Sequence, residues 1–189
     1  MGLSSHVIKY LHYFVFLSII LAPFEGSCSS VHSISLKVYN SNKHVIVPLS
    51  TSSIGSQFNV SYIFAKLVPT VPVNACSRIL NVNEVQNGIA FVIRGGCSFV
   101  TKASFAQAAG AVAFISYDYQ NNSARVLNMV PDETSTQIGI PCAFMQGDHA
   151  QSLLELMDSD NNTYLDVDFP VDPSGKSILL DKFSPLRLG

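Results

Sequence analysis

Residues 88–118 read GIAFVIRGGCSFVTKASFAQAAGAVAFISYD, and this stretch decides the fold. Ile89 to Ile93 is a short, wholly apolar run, the signature of a strand covered on both faces. Arg94, Gly95 and Gly96 stop it, because paired glycines supply turn geometry closed to other residues. Ser98 is placed to cap a helix by accepting from its first free N–H groups. Phe99, Ala103 and Ala106 recur at helical spacing, with Phe105 and Ala109 widening the stripe. Gly110 stands where a left-handed C-terminal cap belongs, and Ala111 to Ile115 begins a second apolar strand. Strand, helix of about three turns and strand predict a βαβ crossover, right-handed by the general rule.

Outward from that unit, the chain reads as one mixed α/β domain with a β-rich core and two main helices. Its 189 residues allow a proper core, and with 48% hydrophobic and 13% charged residues general disorder is excluded. The net charge of −2 gives no electrostatic reason to expect nucleic acid or an anionic membrane surface. Residues 1–28 read as a signal peptide. His6 and Lys9 make a weakly basic start, and Leu11 to Ala22 is an apolar run too short for a membrane span of about twenty residues. Pro23 breaks it, and Gly26 and Cys28 suit the small-residue positions before a cleavage site. Cleavage there would remove Lys9 and Glu25 and leave the net charge unchanged. The expectation is a secreted protein without a stable membrane span.

Residues 29–56 are polar and serine-rich and are read as an N-terminal arm or an added strand. Gln57 to Val68 alternates as a half-buried strand ended by Pro69 and Pro72. Residues 75–87 form a turn or short helix. Asp118 to Gln137 is a long polar loop, the kind that is often functional or mobile. Ile138 to Met145 is a further strand. Asp148 is expected to cap a helix whose apolar face is Ala150, Leu153, Leu154 and Met157. Tyr164 to Phe169 alternates as a last strand, and residues 171–189 make a C-terminal tail.

Arg94-Gly95-Gly96-Cys97-Ser98-Phe99, Lys102, the Ala108-Ala109-Gly110-Ala111 junction and Ile140-Pro141 together resemble the protease-associated (PA) domain family, over residues 57–170. In that family the pattern is strand, R-G-x-C-x-F, helix, A-G-A, strand and then I-P before another strand. The resemblance implies a non-catalytic recognition module. Its relatives are attached to proteases, sorting receptors and membrane ubiquitin ligases, whereas this chain has no recognisable protease, membrane-span or RING segment. Binding residues do not carry over, because the matched motif builds a turn and a helix start.

Cys76 and Cys97 are the natural disulfide pair, with Cys97 in the glycine turn and Cys76 before the strand that feeds it; the resemblance points the same way. Loop closure alone would make such a bridge worth on the order of 3 kcal/mol. Cys142 reads as a small buried thiol. Three glycosylation sequons begin at Asn59, Asn121 and Asn161. Asn121, in the long loop, ranks first and Asn59, in an expected strand, last. If recognition is the function, the same loop is the expected surface, with Arg125 and Met129 as its test residues and a protein of unknown identity as the partner.

No catalytic residue, cofactor or metal is expected. Without the leader three histidines remain, His32, His44 and His149, and there is no G-x-S-x-G turn. Cys97 with His149 is the one nucleophile pairing worth naming, and a bridged Cys97 cannot attack. Asp158, Asp160, Asn162 and Asp166 resemble part of a calcium loop, but Thr163 and Phe169 stand where it needs Gly and Glu. Two competing readings are a small secreted hydrolase with an unfamiliar site and a structural subunit of a luminal complex.

Overall fold

The computed structural model describes residues 34–40, 43–119, 127–134 and 136–177. Seven strands close into a barrel. They are β1 (Ile34–Asn40), β2 (Lys43–Thr51), β3 (Tyr62–Pro69), β4 (Ile89–Ile93), β5 (Ala113–Tyr117), β6 (Cys142–Met145) and β7 (Leu165–Val171). Around the barrel the order is β1-β2-β6-β5-β4-β3-β7, and β7 pairs back onto β1. Strands β3, β4, β5 and β6 run parallel to one another. The contacts of β1 with β2 and β7, of β2 with β6 and of β3 with β7 are antiparallel. Among the described residues three helices accompany the sheet: a single turn α1 (Val82–Val85), α2 (Phe99–Ala108) between β4 and β5, and α3 (Gly147–Ser159) between β6 and β7. No described helix is long and apolar enough to cross a membrane.

The apolar runs of β4, β5 and β6 follow from having two buried faces. Alternate residues divide between two clusters. Phe91, Ile115 and Met145 join Leu36, Val38, Val47 and Phe169 in one. Val92, Phe114 and Phe144 join Val100, Ala103 and Ala106 of α2 in the other. Helix α2 starts at Ser98, whose Oγ accepts from Thr101 N. It ends on Gly110 at φ +82°, where Gly110 N donates to Gln107 O and Ala111 N to Ala106 O. Those are the two reverse bonds of a Schellman cap.

Several sequence expectations are corrected. The segment 29–56 contains β1 and β2, which form two of the seven staves, so the folded unit extends upstream of residue 57. Its core contribution rests on Leu36, Val38, Val47 and Leu49. Strand β3 begins at Tyr62, so Asn59 lies ahead of it and is exposed. A bulge between Tyr62 and Ala65 accompanies Phe64, which is exposed at φ +50°. Gln146, not Asp148, is the N-cap of α3, and Asp148 lies in the first turn. The buried face of α2 keeps Ala103 and Ala106 of the expected stripe and adds Val100 and Lys102, while Phe99 and Phe105 are partly buried against the same cluster. A lysine can face inward there because its ammonium finds acceptors inside.

Candidate functional site

Four parallel strands deliver their following loops to the same end of the barrel. Those loops are residues 70–81 after β3, 94–98 after β4, the segment starting at Asp118 after β5, and Gln146 after β6. Sites at the carboxyl ends of parallel strands are common because the loops there converge while the strands hold them.

The loop after β3 is held by its own side chains. Val71 N donates to Asn81 Oδ1 at 2.8 Å and Asn81 Nδ2 donates to Pro69 O at 3.0 Å. Leu80 N donates to Val71 O at 2.7 Å, and the buried Thr70 hydroxyl donates to Pro72 O at 2.9 Å. Ile93 N donates to Val73 O at 3.0 Å, tying this loop to the end of β4. The expected Cys76–Cys97 disulfide is present and joins it to the glycine turn.

Lys102 completes that junction. Its side chain is fully buried. Nζ donates to Asn74 O at 2.5 Å and Gly95 O at 2.6 Å, and meets Cys76 Sγ at 3.4 Å. The ammonium therefore cross-ties one carbonyl from each disulfide-bearing loop. Burial pushes its pKa below the usual lysine value. The sequence offered Lys102 only as part of a motif; nothing in its spacing announced that it faces inward.

On the other side of the turn, Arg94 Nη1 donates to the buried Asp118 Oδ2 at 2.9 Å. Tyr119 N donates to Asp118 Oδ1 at 2.8 Å, and Arg94 N to Tyr117 O at 2.8 Å. Gly95 sits at φ +93° beneath Tyr119, where a Cβ would stand 2.8 Å from the phenol oxygen. Ser98 has a second duty beyond its cap, since its hydroxyl donates to Asp132 Oδ2. That bond, with those from Thr134, holds the Asp132 carboxyl below the usual carboxylate range. It also fastens residues 127–134 to the start of α2.

Met129 is a correction. It is fully buried in the cluster around α2, and its carbonyl accepts from Ser53 N at 3.0 Å. An apolar side chain next to a sheet face gains more from burial than a solvated loop position offers, so Met129 anchors the loop and is no contact surface. Arg125 and Asn121 lie outside the described residues. Asn59 and Asn161 are both exposed, Asn161 at φ +52° just past α3. Cys142 is buried, and burial pushes its thiol up to about 12. Cys97 is bridged, so it offers His149 no free thiol. Among the described residues no three His, Cys, Asp or Glu side chains are grouped to hold a metal ion.

Beside the exposed Ser77 and Arg78, the rim leaves several apolar side chains to solvent. Val71, Val73, Leu80 and Tyr119 are all about half exposed or more. Beside them a cleft of about 550 Å³ separates the first loop from α3, with Val71, Glu84, Leu154, Met157, Asp158 and Thr163 among its walls. This arrangement can present a shaped, partly apolar surface, and its polar groups are largely engaged in holding the loops.

The comparisons with known proteins agree with this architecture. The family described as PA domain matches residues 63–153. A Drosophila melanogaster protein named PRADC1-like protein is 31% identical over 121 residues, covering 62% of this chain and 62% of that protein. Signal peptide peptidase-like 2 of Arabidopsis thaliana is 31% identical over 110 residues, covering 57% of this chain and 19% of that protein. The chain thus spans less than two thirds of either relative. Among solved structures, an aminopeptidase from Aneurinibacillus sp. strain AM-1 superposes with a TM-score of 0.50 at 18% identity. The match covers 74% of this chain and 30% of that one, a likeness of fold alone. The loops bound by Cys76, Cys97 and Lys102 accordingly lie within residues 63–153, the part of this chain that matches the PA domain family.

Proposed function

We propose that the protein is a secreted, non-catalytic interaction module that binds another protein through the rim at the carboxyl ends of its parallel strands. One observation carries the reading. The chemistry-bearing side chains around the glycine turn are committed to structure, while the outer surface of the rim displays Val71, Val73, Leu80 and Tyr119 beside the exposed Arg78. Cys97 is bridged, Ser98 caps a helix and donates to Asp132, Lys102 is bonded to two carbonyls, and Arg94 is paired with Asp118. Exposed apolar and aromatic side chains on a rigid scaffold are the usual anchors of protein interfaces. Secretion is supported by the basic start, short apolar run and small-residue site of residues 1–28, and a disulfide suits an oxidising compartment.

The test is a pull-down from secretory fluid with the full secreted chain, followed by affinity measurement with Val71→Ser/Leu80→Ser and Tyr119→Ala variants. Loss of affinity by about tenfold or more in folded variants is expected for interface anchors. Unchanged affinity rejects the rim as the surface, and hydrolytic turnover by the purified protein rejects the non-catalytic reading.

A further inference from the structure

The geometry around Lys102 points to a directional thiol-exchange site: we propose that the Cys76–Cys97 disulfide is opened by an external thiol that attacks Cys97, with Cys76 leaving as a thiolate held by the Lys102 ammonium. The two sulfurs differ in their surroundings. Cys76 Sγ has the ammonium at 3.4 Å, and the turn backbone covers it, since a Cβ on Gly96 would come within 3.1 Å of the same sulfur. Asn74 O and Gly95 O lie 3.6 and 3.7 Å from that sulfur. Both carbonyls accept from the ammonium, so the cation that faces the sulfur also engages the two oxygens nearest to it. The neighbouring Arg94 is paired with Asp118, and Arg78, two residues past Cys76, is exposed. Both cysteines are only half-buried, so a thiol can approach.

Exchange proceeds by in-line attack of a thiolate, and the sulfur that leaves faster is the one whose thiolate is more stable. A neighbouring ammonium supplies that stabilisation, as it does for reactive thiols generally. In the first step an external thiolate bonds to Cys97 Sγ, the S–S bond breaks, and its electron pair passes to Cys76 Sγ. The products are a mixed disulfide on Cys97 and a Cys76 thiolate paired with Lys102. A second external thiolate attacks the external sulfur of the mixed disulfide and releases Cys97 as a thiolate. The external thiol is oxidised to its own disulfide, and the protein cystine is reduced.

The experiment exposes the full secreted chain to glutathione, traps thiols with N-ethylmaleimide and maps the adducts by mass. Glutathione is expected on Cys97 and maleimide on Cys76. In the half-reduced protein Cys76 is expected to alkylate with an apparent pKa below the free-thiol value of about 8.5. Lys102→Met is expected to slow opening about tenfold while Lys102→Arg retains the wild-type rate. A merely structural lysine would give the opposite sign, because a loosened turn exposes the bridge and speeds reduction. The proposal is overturned by glutathione on Cys76 as the first adduct, by no adduct on the folded wild-type protein, or by a folded Lys102→Met protein that opens at an unchanged or faster rate. Should Lys102→Met not fold, the adduct position and alkylation profile of the wild-type protein decide alone.

Discussion

Cys142 and Tyr117 show how burial at single residues becomes a property of the folded chain. Burial pushes the Cys142 thiol up to about 12, and burial with the nearby Tyr119 pushes the Tyr117 phenol to about 12 as well. Both are neutral in the folded protein at pH values where the unfolded chain has already ionised them. The unfolded state then binds fewer protons, so stability falls as pH rises. It is flat below the ordinary thiol value and declines from there towards pH 12. Denaturant titrations across this range are expected to show that slope, and Cys142→Ala is expected to flatten its thiol share. A slope unchanged in Cys142→Ala would mean that the thiol is not the group responsible. Ser98→Ala tests a different residue-scale role. It removes an N-cap and the tie to Asp132 together and is expected to cost about 1 kcal/mol or somewhat more in urea unfolding.

The elements differ in how plainly their residues declare them. The β4–α2–β5 stretch was legible because local chemistry sets it: apolar runs, a glycine turn, a serine cap and a glycine stop. Strands β1 and β2 were only half legible, as an arm or an added strand, because an antiparallel hairpin with polar residues on one face looks like a polar arm until its partners are known. Only the pairing of β1 with β7 and of β2 with β6 turns Leu36, Val38 and Val47 into core. Lys102 escaped for a related reason: inward placement depends on carbonyls 7 and 28 residues away. Asp132 and Met129 were likewise hidden in a loop whose anchors, Ser98 and Ser53, are distant in sequence. Two outcomes follow for the hairpin. Leu36→Ala, at a fully buried site, is expected to cost about 2–5 kcal/mol in chemical denaturation. A chain starting at residue 57 loses two staves and is expected to lack the dispersed methyl resonances of a packed core. A well-folded spectrum from that fragment would show the hairpin to be dispensable.

Across the whole molecule the disulfide closes a loop of 21 residues between the β3 end and the α2 start. Cys76→Ala/Cys97→Ala is expected to lower stability by on the order of 3 kcal/mol without dissolving the barrel, as calorimetry would show. Asn59 and Asn161 are both exposed, so passage through the secretory pathway, as proposed, would make both available for modification. Asn59→Gln and Asn161→Gln are each expected to remove one glycan from protein expressed through a secretory route, and a glycan mass unchanged by either replacement would exclude that site. The continuity of the barrel carries a further consequence. Every stave has a neighbour on both sides, but β6 meets β2 at Ser50 and Thr51 and β4 meets β3 from Leu67 to Pro69. The templated edge-to-edge growth that burdens open sheets therefore finds no fully bare strand among the described residues. A linear peptide that owes its grip to backbone hydrogen bonds is left the uncovered lengths of β2 and β3, and elsewhere a partner must read side chains and loop contours.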